Sequence, residues 1–161
     1  MYLFRKLKTE IGELTLIGDG TVVECILFQG TPVPRQYKGN LKESRTAYAK
    51  AAKEIKSYLR GHVTEFSFPF SIIMADGFRK KALEILARVP YGKTISYQQL
   101  AAKAGSPQAH RAAGSACANN PLPIVIPCHR VLKSDGTLGG FGGGLPVKRR
   151  LLDIEKSTYK R

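Results

Sequence analysis

The sequence predicts an α+β fold in two parts. An N-terminal α/β domain carries a small, mainly antiparallel sheet and one helix, and a mostly helical domain with a helix-turn-helix follows. Three observations predict this. Short strand-like runs crowd the start of the chain, apolar faces of helical period dominate its second half, and a Pro- and Gly-flanked break near Pro69 to Gly77 separates them. The break places the domains at 1–74 and 75–161, and 161 residues suffice for a sizeable core in one domain or two small ones.

Tyr2 to Lys8, Leu14 to Ile17 and Thr21 to Phe28 read as strands, with turn signals at Gly12 and Asp19-Gly20, so a meander is expected. Pro32, Pro34 and Gly39 mark a loop. From Leu41 to Leu59, Tyr48, Ala51, Ala52, Ile55 and Leu59 recur at helical spacing before Gly61. Phe66, Phe68 and Phe70 alternate like one more strand, and aromatics so spaced are core residues far more often than ligand contacts.

Beyond the boundary, Phe78, Ala82, Ile85, Leu86 and Val89 form one helical face that ends at Pro90 and Gly92. Thr94 or Ser96 suits the cap of a helix stopping at Gly105, and Pro107 suits the first turn of a second helix running to Ala118. Two helices joined by Gly-Ser-Pro make a helix-turn-helix, a corner that many bundles also contain. The second helix is poor in base-reading side chains: Ala, Gly and Ser dominate, and Arg111 is its main long side chain. Its smoothness fits either a narrow groove, with Arg111 as a wedge, or tight packing between helices.

The 26 Lys and Arg against 12 Asp and Glu leave a net charge of +14, which points to a polyanionic partner rather than to solubility alone; because the charges are dispersed and form no basic tail, a basic surface that merely reflects the host's proteome is the alternative. Cys25, Cys117 and Cys128 are too few and too scattered for a disulfide framework. No C-x-x-C pair exists, and His62, His110 and His129 lack zinc-site spacing, so neither metal nor cofactor is expected. With no signal-peptide core and no membrane-length apolar run, the expected location is cytoplasmic, or nuclear in a nucleated cell.

The chemistry concentrates in Ile124-Val125-Ile126-Pro127-Cys128-His129-Arg130-Val131, where an apolar strand-like run and a proline lead into a cysteine beside a histidine. Most single intracellular cysteines are small buried hydrophobes. A neighbouring base and cation, however, favour a nucleophilic thiolate, so a covalent bond to Cys128 is expected. A turn follows at Ser134-Asp135-Gly136, and then Gly139, Gly140, Gly142, Gly143 and Gly144 surround Phe141. This loop lacks the spacing and lysine of a phosphate-binding P-loop and suits close backbone approach to a ligand against the Phe141 wall. Pro146 opens a last helix with Val147, Leu151 and Ile154 inward. Glu155, one turn past Leu151, is a candidate partner for the Cys-His pair, although an isolated helical Glu usually faces solvent.

Residues 88 to 156 resemble the O6-alkylguanine-DNA alkyltransferases, most specifically in Ser96-Tyr97-Gln98-Gln99-Leu100, Asn120-Pro121 and Ile126 to Val131. The resemblance covers about the C-terminal half. It implies a ribonuclease-H-like N-terminal domain and a monomeric protein that binds double-stranded DNA from the minor groove and flips an alkylated guanine into a pocket. Transfer of the alkyl group to Cys128 would then consume the protein. His129 would deprotonate Cys128 through a water, Glu155 would hold the tautomer of His129, Asn120 would brace the cysteine turn, and Tyr97 would donate toward the guanine ring. Arg111 would fill the space left by the flipped base. The carbonyls of Cys128 and Val131 would read the exocyclic amine, and Phe141, Gly142 and Gly143 would contact the alkylated oxygen and its group. Tyr97, Gln98, Ser106, Arg111 and Ser134 would lie along the DNA.

Two departures stand out. Many relatives carry a tyrosine and then a hydroxyl residue where this chain has Phe141 and Gly142, which removes hydroxyl contacts and leaves a roomier pocket. The structural zinc of some relatives is not expected here, since the cysteines for it are missing. A non-catalytic alkyltransferase-like lesion binder is a second reading; such proteins lack the reactive cysteine and commonly carry tryptophan there, whereas this chain has Cys128 and no Trp. A Cys-His hydrolase is a third, without a polar substrate site to support it. Cys117, among small residues, is expected to be a buried structural thiol.

Overall fold

Alternation of apolar residues puts Leu7, Leu14 and Leu16 on buried faces and builds β1 (Tyr2–Thr9) and β2 (Gly12–Gly18) into an antiparallel hairpin. The computed structural model of the chain describes residues 1–73 and 75–161, which fall into two units, Met1–Met74 and Ala75–Arg161. In the first unit β3 (Val23–Leu27) continues the meander, with Ile17, Cys25, Leu27 and Tyr37 forming a core cluster. Cys25 is held there as a hydrophobe: burial, with help from Glu24, pushes its pKa to about 12.

The sheet differs from the expected meander at one edge. Its order is β3-β2-β1-β4, and β4 (Leu41–Glu43) runs parallel to β1, pairing Leu41 with Tyr2. The sequence pattern assigned those residues to the following helix, but α1 spans only Ala49–Leu59. The break is Tyr48, whose φ of 56° is incompatible with helix. Its hydroxyl donates to Leu3 O at 2.9 Å and accepts from Gly20 N at 3.0 Å, which offsets the strained backbone. The phenylalanine segment is also not a strand. Glu54 of α1 takes the amides of Ser67 and Phe68, at 2.6 and 3.2 Å, so they are lost to a ladder. Only Phe70 bridges Val23, while the three rings meet edge-on in sequence order.

In the second unit α2 (Gly77–Leu86), α3 (Tyr97–Lys103) and α4 (His110–Ala118) pack mutually through Leu83, Leu86, Leu100, Ala101, Ala113 and Ala116. The small residues of α4 thus serve packing on one face. Its start is later than the sequence suggested: Pro107 lies in a turn closed by Ala109 N to Ser106 O at 2.9 Å, and helix begins at His110. Two short strands, β5 (Ile95–Ser96) and β6 (Val131–Leu132), pair in parallel. They tie the start of α3 to the chain just beyond Cys128. α5 (Leu145–Ile154) closes the unit with Lys148, Leu151 and Leu152 buried, while Val147 and Ile154 are only half-buried. Among the described residues no helix is long and apolar enough to cross a membrane.

Candidate active site

Ser96 and Gln99 set the position of Tyr97. The Ser96 hydroxyl accepts from Gln99 N at 3.0 Å while Gln99 Oε1 accepts from Ser96 N at 2.8 Å, a reciprocal capping box that makes Tyr97 the first residue of α3. The loop that follows β6 then comes close to it: a Cβ on Gly139 would lie 2.9 Å from the Tyr97 hydroxyl, and Gly139 has a φ of +70°. Only glycine fits there. Burial pushes the Tyr97 phenol up to about 12, so it stays protonated and able to donate.

The segment before Cys128 is a turn rather than the expected strand. Ile124 has a φ of 76°, and Ile126 N donates to Leu122 O at 2.8 Å. Asn120 holds this turn from both ends: Nδ2 donates to Ile126 O at 2.8 Å and Oδ1 accepts from Leu122 N at 2.9 Å. Cys128 follows on a single 3-10 turn, Cys128–Arg130. The residue is 5% exposed, and burial raises its pKa; the Asn120 side-chain hydrogen bond and the charge of Lys148 oppose that rise. At rest it is a thiol that needs a base.

The next residue, His129, carries an imidazole able to act as a base. His129 is fully buried, with Nε2 2.7 Å from Glu155 Oε2. Glu155 also accepts from Arg130 Nε at 2.8 Å, from Arg130 Nη2 at 2.9 Å and from Gly92 N at 3.3 Å. The bidentate arginine keeps the carboxylate ionised and acceptor-only, so Nε2 of His129 carries the proton and Nδ1 the basic lone pair. Burial depresses the His129 pKa; Glu155 opposes this, and the positive charges of Arg130 and Lys148 reinforce it. His129 is accordingly neutral at pH 7.

Cys128 opens into an apolar-lined cavity of about 570 Å³. Tyr97 and Lys133 contribute to its lining, α4 adds His110, Gly114, Cys117 and Ala118, and the glycine-rich loop adds Gly139, Gly140, Phe141 and Gly142. The size is within the range of small-molecule sites. No group of His, Cys, Asp and Glu suited to a metal occurs among the described residues.

Of the sequence-predicted residues, Tyr97, Cys128, Phe141 and Gly142 meet at this cavity, with His129, Glu155 and Asn120 hydrogen-bonded around the cysteine turn. Val131 and Gly143 are not among its lining; Val131 is fully buried, and its carbonyl accepts from Lys148 Nζ at 2.8 Å. Ser134 donates to Gln98 at 3.1 Å, and both line a shallow open groove with Ser96, Gln99, Ala102 and Pro107. Ser106 and Arg111 lie outside both depressions, Arg111 exposed on α4. Cys117 is a correction: it is half-buried and lines the cavity rather than filling core. Sequence reasoning also left Arg130 and Lys148 without roles. For Lys148 the signal was present, since Lys148, Leu151, Leu152 and Glu155 fall at the spacing of one helical face.

Residues 77–157 match the family described as 6-O-methylguanine DNA methyltransferase, DNA binding domain. A methylated-DNA–protein-cysteine methyltransferase of Mycobacterium tuberculosis is 36% identical over 98% of this chain and 94% of its own length. One from Methanosarcina barkeri is 31% identical over 96% of this chain and 97% of its own. Among solved structures, the M. tuberculosis OGT in complex with DNA superposes with a TM-score of 0.89 at 34% identity, covering 96% of this chain and 92% of that one. The likeness therefore runs through both units and includes the segment that carries the Cys128 site, and the chain belongs to the methylated-DNA–protein-cysteine methyltransferase family.

Proposed function

We propose that the protein repairs O6-alkylguanine in double-stranded DNA by moving the alkyl group irreversibly to Cys128. The observation that carries this reading is Cys128 itself, set in an apolar cavity with His129, Glu155 and Arg130 hydrogen-bonded in series beside it. His129 Nδ1 takes the thiol proton through a water, and Glu155 secures the tautomer that makes this possible. The sulfur then forms a bond to the alkyl carbon as the carbon–oxygen bond to guanine breaks. Tyr97 donates toward the ring nitrogen, so that guanine leaves without a full negative charge. The product thioether has no good leaving group, and one protein molecule acts once.

Support for a duplex partner comes from charge. The unit from Ala75 to Arg161 carries fifteen of the 26 Lys and Arg but only five of the 12 Asp and Glu. The damaged base reaches the cavity by flipping, with α4 approaching from the minor groove and Arg111 taking the vacated space. Gln98, Ser134 and Ser106 face the backbone, and Phe141 and Gly142 bound the base. The protein acts as a monomer, in the cytoplasm or in the nucleus of a nucleated cell. Incubation with an oligonucleotide containing O6-methylguanine should add one methyl mass to the peptide bearing Cys128. Binding of that DNA with no mass gain would refute the reading.

A further inference from the structure

Lys148 is an unusual lysine. Its neighbours on α5, Arg149 and Arg150, are exposed, but its own side chain is fully buried. A buried ammonium is unfavourable unless its donors are used. Here Nζ donates to Val131 O at 2.8 Å, to Gly140 O at 3.2 Å and, in a shorter contact, to Leu138 O. An ammonium has three N–H donors and no acceptor, so these carbonyls use its whole capacity.

The three carbonyls come from two stretches of chain that both bear on the cavity. Val131 directly follows the turn of Cys128 and His129. Leu138 and Gly140 belong to the loop whose Gly139, Gly140, Phe141 and Gly142 line the cavity. A loop so rich in glycine loses much conformational entropy when it orders, and few side chains are available to hold it. Lys148 reaches it from outside, one turn into the next helix.

We propose that Lys148 is a positioning residue that pins the glycine-rich loop to the Val131 carbonyl and thereby fixes the walls of the substrate cavity. It touches neither the reacting sulfur nor the alkyl carbon. By occupying one lone pair of Val131 O it also fixes the direction of the other. This role rests on reading the cavity as the site of the flipped base. Lys148 has a second effect, because its charge favours the thiolate of Cys128, and the two effects separate experimentally.

The test uses the full chain and the Lys148→Met variant, which keeps length and removes all three donors. Three quantities are measured: backbone amide exchange over 138–144 relative to α2 in the same molecule, the half-saturating concentration and limiting rate of transfer from free O6-benzylguanine, and the rate of Cys128 alkylation by iodoacetamide. Loss of the lock should speed loop exchange but not α2 exchange, and raise the half-saturating concentration by about tenfold or more as buried acceptors are left without donors. Iodoacetamide alkylation should change much less. Unchanged loop exchange would overturn the proposal. So would a fall in iodoacetamide rate matching the fall in limiting rate at constant half-saturation, since that assigns Lys148 to the thiolate instead. If Lys148→Met does not fold, Lys148→Gln, with two donors and no charge, takes its place and should show a smaller shift in the same direction. Failure of the unmodified protein to take up the benzyl group would refute the base-pocket reading, while the exchange comparison would still decide the role in the loop.

Discussion

His129 and Glu155 meet at 2.7 Å with both side chains fully buried, and the bidentate Arg130 leaves the carboxylate no proton to give. The histidine is thereby fixed with its proton on Nε2 and its lone pair on Nδ1. Replacing the carboxylate should therefore damage two properties at once. In Glu155→Gln the amide removes the anion that orients His129, and single-turnover alkyl transfer should fall by about 100-fold or more. The same change strands the buried Arg130 guanidinium, at a cost of about 3–5 kcal/mol of stability. Urea denaturation and transfer kinetics on the one variant check both.

The depressed pKa of His129 sets the acid side of the pH profile. Its folded value lies below the ordinary 6.5 because burial penalises the imidazolium. The base is consequently available at pH 7 and is lost only as pH falls through that lowered value. The rate of reaction with a free base analogue should show its acid limb below the usual histidine range. Stability follows the same sign. Below about 6.5 the unfolded chain takes up a proton that the folded chain refuses, so the His129 contribution is present above that pH and declines beneath it, by at most about 1.4 kcal/mol per pH unit. An acid limb centred at or above 6.5 would contradict the buried neutral histidine.

Asn120 links turn geometry to thiol chemistry, since it bonds Ile126 O and Leu122 N and also favours the Cys128 thiolate. Asn120→Ala should slow iodoacetamide alkylation of Cys128 and alkyl transfer together. It should also cost about 1–3 kcal/mol of stability, because buried main-chain partners lose their bonds. Slower transfer with normal iodoacetamide reactivity would limit Asn120 to bracing the substrate side.

How much of this was legible depended on whether local chemistry or distant pairing decided the outcome. Ser96 and Gln99 cap α3 by contacts three residues apart, and Cys128-His129 are adjacent, so both could be read directly. β4 could not, because Leu41 becomes a strand residue only by pairing with Tyr2. The phenylalanine alternation misled for a related reason: Glu54, far away in sequence, takes the amides that a strand would need. Glu155 was ambiguous until Arg130 and His129 supplied the partners that make a buried carboxylate tolerable. Cys117 looked like packing because nothing in its own helix reveals that a glycine-rich loop far along the chain lines the same cavity.

Two thiols line that cavity, and they should behave oppositely. Cys117 has its pKa pushed up to about 12, with burial as the leading cause and no hydrogen bond among the causes to oppose it. Cys117→Ala should keep transfer within about threefold of the unmodified protein, because the thiolate is the nucleophile and Cys117 scarcely forms one. Cys128→Ala should abolish transfer yet still bind DNA. Mass analysis of each variant after exposure to O6-methylguanine DNA checks the pair, and a methyl group found on Cys117 in Cys128→Ala would reassign the nucleophile.

Arg111 is exposed on α4 and outside the cavity, so its value should appear only when a base has to leave the stack. Flipping costs a few kcal/mol, and a side chain that fills the gap lowers that cost. A free base analogue needs no flipping. Arg111→Ala should therefore slow repair in duplex DNA by about 10-fold or more while leaving reaction with the free analogue nearly unchanged. A phosphate contact alone would instead weaken binding to any duplex equally and reduce the dependence of affinity on salt. Comparing three rates (damaged duplex, damaged single strand and free base) separates these roles. Equal loss on duplex and free base would remove Arg111 from the flipping step.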